Sequence, residues 1–132
     1  MPEVEKYRVE GARLCVRWVG LLDREAVLRE AAVVTKSLTP SIKQVLVDTS
    51  AVTACPEAAK AELVELQRTL SRGGRRTAWL DERAVFRGMA LWVMHLASDP
   101  VGKAVATMPQ AEAWLTSNEQ RESVAAKRTV MR

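Results

Sequence analysis

The residue types that carry most enzyme chemistry are scarce in this 132-residue chain: one histidine, His95, and two cysteines, Cys15 and Cys55. His95 has no histidine or cysteine at metal-ligand spacing, so it reads as a surface or rim histidine rather than a ligand or a base. Two cysteines, forty residues apart, are too few for a disulfide framework or a four-ligand zinc site and are expected as free thiols. Cys55 precedes a predicted helix, where a thiol can have a lowered pKa, although no base neighbours it in sequence. Gly73-Gly74 follows a helix and lacks the Lys-Ser sequel of a phosphate-binding loop. These residues assemble no nucleophile, base and orienting group, and no cofactor, metal or nucleotide site is expected.

The elements that must position these residues follow from apolar spacing. Tyr7-Arg8-Val9 and Arg13 to Trp18 flank Glu10-Gly11, and Leu14, Val16 and Trp18 alternate onto one face, which predicts an N-terminal β-hairpin. Asp23 suits an N-cap, after which Val27, Ala31, Val34 and Leu38 recur at helical spacing until Thr39-Pro40. Gln44-Val45-Leu46-Val47-Asp48 is a short continuous apolar run, the pattern of a strand covered on both faces. Pro56 and Glu57 suit the first turn of a second helix with a stripe of Ala59, Leu63, Leu66 and Leu70. Thr53 or Cys55 is placed to cap it.

Gly73-Gly74 breaks that helix, Thr77-Ala78-Trp79-Leu80 reads as a strand, and Asp81 is placed to cap a third helix ending at Ser98-Asp99-Pro100. Ala104-Val105-Ala106 and a short helix carrying Ala113, Trp114 and Leu115 complete the order ββαβαβαβα. Strands separated by long helices join in parallel through right-handed crossovers, so the expected fold is α/β, with a mixed, mostly parallel sheet, an N-terminal hairpin and packed helices. A single domain is expected over residues 1-117, with 118-132 a polar tail, mobile or partly helical.

The net charge of +4 permits weak attraction to anions without requiring it. Arg72, Arg75 and Arg76 are explained by a helix C-terminus and a wet turn, Lys127, Arg128 and Arg132 fall in the tail, and no stacking platform is evident, so nucleic acid is not an expected partner. No apolar run approaches the ~20 residues of a membrane span, and the N-terminus has no export leader, which suggests the cytoplasm.

The order of elements from Tyr7 to Leu115 resembles the STAS domains of bacterial anti-sigma-factor antagonists. Val45-Leu46-Val47-Asp48-Thr49-Ser50-Ala51-Val52 is similar to the strand and Asp-x-Ser-x-Val turn of that family. Met108-Pro109-Gln110-Ala111-Glu112-Ala113-Trp114-Leu115 resembles the ending of a bacterial subgroup grouped with CRAL-TRIO lipid-transfer folds. The first resemblance implies a non-enzymatic regulatory module that docks a protein partner through a loop from Asp48 to Glu57, with Asp48, Ser50, Thr53, Cys55 and Glu57 as site residues. The second implies, as an alternative, a carrier or sensor of a small apolar ligand. Where antagonists of the sigma-factor type carry a phosphorylatable Asp-Ser pair, this chain has Pro56-Glu57, so the resemblance implies that the usual phospho-switch is absent; Ser50, Thr49 and Thr53 lie nearby.

On the third helix, an advance of ~100° per residue groups Val85, Met89, Trp92 and Leu96, which are expected to face the sheet. Arg83, Arg87 and His95 mark the opposite side, with Leu91 and Met94 between them. Together with Phe86 and Val93 on the flank, Leu91 and Met94 form a candidate self-association patch and make a homo-oligomer conceivable.

Overall fold

The computed structural model describes residues 6–99 and 101–117. Strands β1 (Tyr7–Glu10) and β2 (Arg13–Leu21) form the hairpin, followed by α1 (Arg24–Ser37), β3 (Gln44–Ala54), α2 (Glu57–Arg72) and β4 (Arg76–Leu80). The chain continues through α3 (Ala84–Leu96), β5 (Gly102–Val105) and α4 (Met108–Thr116). The sheet has the order β1-β2-β3-β4-β5, with β1 antiparallel to β2 and every other pair parallel. Gly11, at the first position of the two-residue hairpin loop, has φ +60, a conformation glycine adopts without the Cβ penalty.

Successive right-handed crossovers put α1, α2 and α3 on one face. There Leu14, Val16 and Trp18 of β2, Val45 and Val47 of β3 and Trp79 of β4 meet Val27, Leu63, Leu70 and Val93. Because side chains alternate along a strand, Leu46, Ala78 and Val105 emerge on the other face, where Ala111 and Leu115 of α4 cover them. Val45, Leu46 and Val47 are all less than 5 % exposed, as a strand covered on both sides requires. Trp18 and Trp79 meet edge to face at 5.7 Å in the larger core.

Inside that core the fully buried Gln67 of α2 donates to Thr77 Oγ1 at 2.9 Å and to Asp99 Oδ2, while its Oε1 accepts Trp79 Nε1–H at 2.9 Å. This network pins α2 to β4 and to the loop after α3. Gly102 packs beside it so closely that a Cβ would lie 2.8 Å from Asp99 Oδ2.

Several local expectations change. Asp23 caps α1 as expected, accepting from Ala26 N–H. Neither Thr53 nor Cys55 caps α2; its N-cap is Pro56, with no side-chain cap hydrogen bond. Asp81 does not cap α3, which starts after Arg83. β5 is shifted toward Gly102, and Thr107 with Gln110 forms a reciprocal capping box on α4. Arg76, expected in a wet turn, is 3 % exposed: its guanidinium lies over the Trp114 ring at 4.7 Å and donates to the Trp114 carbonyl, so the arginines at 72, 75 and 76 do not make one solvent-facing stripe. The tail expected from 118 to 132, with Lys127, Arg128 and Arg132, lies outside the described residues.

Candidate functional site

β3 outlasts β4. It pairs with β4 only as far as Asp48, then continues to Ala54 against the end of β2, with register irregularities between Arg17 and Val19 and between Gly20 and Leu21. The segment expected as a loop from Asp48 is therefore strand to Ala54, and only Cys55 and Pro56 connect it to α2. Beyond the end of β4, the carbonyls of Thr49 and Val52 accept hydrogen bonds from Arg83 Nη2 and Nη1, both at 2.8 Å. The same guanidinium pairs with Asp81 through Nε and Nη2 and lies over the Phe86 ring at 3.7 Å. A backbone acceptor without a partner is costly, and one arginine fork here does the work of the missing strand.

Asp81 is the buried anchor of this clip. Burial opposes its ionisation, but hydrogen bonds from the Arg83 side chain and backbone and from Thr49 Oγ1 at 2.8 Å outweigh it, so its carboxyl lies below the usual carboxylate range. Sequence reasoning assigned Asp81 to a cap and Arg83 to a polar surface. The available signal was an Asp-x-Arg step directly after a strand, which is common enough to carry little information by itself.

Clipped in this way, the end of β3 and the start of α2 form one wall of a groove of about 500 Å³. Cys55, Glu57 and Lys60 line that wall, and Val85, Phe86, Met89 and Trp92 of α3 line the other. A shallower depression of about 400 Å³, sharing Glu57, Lys60 and Trp92, continues it toward Arg68 and Leu96. Glu57 Oε1 and Lys60 Nζ pair at 2.7 Å, and Lys60 sits 5.8 Å from the Trp92 ring centre. Burial pushes the Cys55 thiol up, against the opposing effect of Lys60. The activation conceivable for a thiol at a helix start is therefore not realised.

The five residues expected at the docking loop do not converge. Cys55 and Glu57 line the groove, while Ser50 and Thr53 are exposed on the end of β3. Asp48 lies on the opposite sheet face, in a depression of about 150 Å³ with Arg8, Cys15, Arg17 and Met108, and its Oδ1 accepts the Ser50 N–H. Thr49 is buried and engaged with Asp81.

The expected α3 patch is corrected in the same way. Val93 and Met94 are 0 % and 3 % exposed and face the sheet with Ala90, whereas Val85 is 82 % and Trp92 45 % exposed. Phe86 is half-buried under Arg83, and Leu91 alone of the four expected patch residues is exposed. α3 packs against β4 and β5, and the residues it buries are Ala90, Val93, Met94 and, at its C-cap, Ala97.

Chemically the groove offers apolar surface, one ion pair and a thiol held protonated. Among the described residues no group of three or more His, Cys, Asp or Glu could hold a metal, and no helix is long and apolar enough to cross a membrane.

No family model matches the sequence, and no curated protein matches it. Solved structures do. A putative anti-sigma factor antagonist from Thermotoga maritima superposes with a TM-score of 0.64 at 14% identity, covering 84% of this chain and 93% of its own. The anti-sigma factor antagonist SpoIIAA, in its unphosphorylated form, gives 0.59 at 13% identity over 79% of this chain and 91% of that one. An RsbS variant from Moorella thermoacetica gives 0.61 at 13% identity over 90% and 96%. These likenesses lend no support to the CRAL-TRIO subgroup. A five-stranded mixed sheet in the order ββαβαβαβα, superposing on these proteins over nearly their whole length, gives this chain the STAS fold of the anti-sigma factor antagonists.

Proposed function

We propose that this protein is a non-enzymatic regulatory module of the bacterial cytoplasm. In this reading a single domain over residues 1-117 docks a protein partner at the start of α2 and along the α2–α3 groove. The observation that carries this reading is the groove itself, which sets Cys55 and Glu57 beside the exposed Val85 and Trp92. An apolar floor with a charged rim is the anatomy of a protein-binding patch. The anti-sigma factor antagonists among the structural neighbours support the same reading at the level of fold.

Glu57 begins α2 with a fixed negative charge that is 82 % exposed at the side chain, in the position where the family resemblance places a phosphorylatable serine. The reading is therefore of a docking surface without that switch. Glu57→Lys reverses the rim charge without touching the core, and it is expected to lower recovery of partners captured from a lysate of the source organism by about tenfold. Unchanged capture refutes the docking site.

A second reading, a carrier of a small apolar ligand, is favoured only by the volume and lining of the groove. Native mass spectrometry separates the two: a co-purifying lipid-sized adduct supports the carrier, and a clean mass removes it.

A further inference from the structure

The outward face of α3 differs from those of the other long helices. The exposed side of α1 intersperses Leu28 and Val33 with Arg24, Glu25, Arg29 and Lys36, and that of α2 carries Glu57, Glu65, Arg68 and Arg72. Within α3 the only charged residue is Arg87, which is turned onto its own chain, donating to the carbonyls of Asp81 and Glu82. What α3 presents to solvent is Ala84, Val85, Gly88, Leu91, Trp92 and His95, followed by Leu96. A helix apolar on its outer as well as its inner face is one that something covers.

Gly88 adds a second observation. In mid-helix it costs about 1 kcal/mol relative to alanine, yet a Cβ built there meets nothing within 4 Å. No packing inside the chain requires glycine at this position. It leaves a hollow on the outer face, one turn from the half-exposed Trp92.

We infer that this face pairs with the same face of a second copy, two α3 helices crossing antiparallel about a two-fold axis on the outer face at the level of Ala90, between Gly88 and Trp92. The shape is self-complementary. The small residues Ala84 and Gly88 occupy the N-terminal half and the bulky Trp92 and Leu96 the C-terminal half, so antiparallel pairing seats each bulky residue over a small one, twice. The charge pattern agrees, because Arg87 is engaged internally and His95 comes to lie opposite Val85, leaving no like charges facing each other. Val85, Leu91, Trp92 and Leu96 are 82 %, 55 %, 45 % and 41 % exposed. Their free area is roughly 400 Å² per copy, or roughly 800 Å² over the pair, the size of a weak and concentration-dependent contact. This face shares Val85, Gly88 and Trp92 with the groove of the docking reading, whereas Leu91 and Ala84 lie outside that groove and Glu57 is not on α3, so variants at these positions separate the two.

Sedimentation of the full chain over a concentration series tests it. The apparent mass should rise from the 14.6 kDa of one chain toward twice that value. Leu91→Glu and Gly88→Gln should each weaken self-association at least about tenfold. Gly88→Gln should do so without loss of helicity by circular dichroism, since its side chain enters open space. Glu57→Lys should leave the mass profile unchanged. A wild-type mass that stays at one chain throughout, both α3 variants associating like the wild type, or equal loss in Glu57→Lys overturns the assignment.

Discussion

Gln67→Leu removes the amide that joins three elements while leaving a side chain of similar size in a fully buried site. Its cost follows from the groups left behind. Trp79 Nε1–H, in a residue 1 % exposed, loses its acceptor, and a buried donor without a partner costs about 1–3 kcal/mol. Thr77 Oγ1 and Asp99 Oδ2 each lose a donor, and the hydrogen bond that Thr77 already donates to Asp99 at 3.5 Å remains between them. The leucine gains some apolar burial. The net destabilisation is therefore about 2 kcal/mol, or a fall of roughly 8 °C in the thermal midpoint of a domain this size. Urea unfolding followed by tryptophan fluorescence measures it, with the slope m expected to stay constant. Gln67→Glu serves as a control. It keeps the acceptor for Trp79 but sets a second carboxylate against Asp99, so its deficit should shrink as the buffer approaches about pH 4, where carboxylates protonate. A Gln67→Leu protein within about 0.5 kcal/mol of wild type would show that this network does not hold α2 to the sheet.

The remaining expectations concern titratable groups. Asp81 has a depressed pKa, so its contribution to stability is present above the unfolded carboxylate value of about 4 and is lost as the pH falls through the lower folded value. Asp81→Asn should flatten the acid limb of a stability-against-pH curve below about pH 4, and an unaltered limb refutes the clip as its source. Cys15 and Cys55 both titrate above the ordinary thiol value because of burial, so alkylation by iodoacetamide near neutral pH should run slower in the folded protein than in urea; equal rates would contradict the burial assigned to them.

The sequence by itself determined the order of elements, the hairpin, the parallel crossovers and the doubly covered Val45-Leu46-Val47 segment. Each of these follows from a short-range pattern, alternation or helical spacing, or from the chirality of connections. The orientation of α3 was not determined in that way. Val85, Met89, Trp92 and Leu96 do share a face, but the stripe turned to the core is Ala90, Val93, Met94 and Ala97, an equally periodic apolar set, and helical spacing alone does not choose between the two. The length of β3 and the anchoring of Thr49 and Val52 also belong to tertiary structure. They depend on β4 ending at Leu80 and on Arg83, more than thirty residues downstream of Thr49, supplying the missing donors. Local pattern fixes which residues can be buried; which of them are buried depends on what lies opposite, and that is decided only when the layers meet.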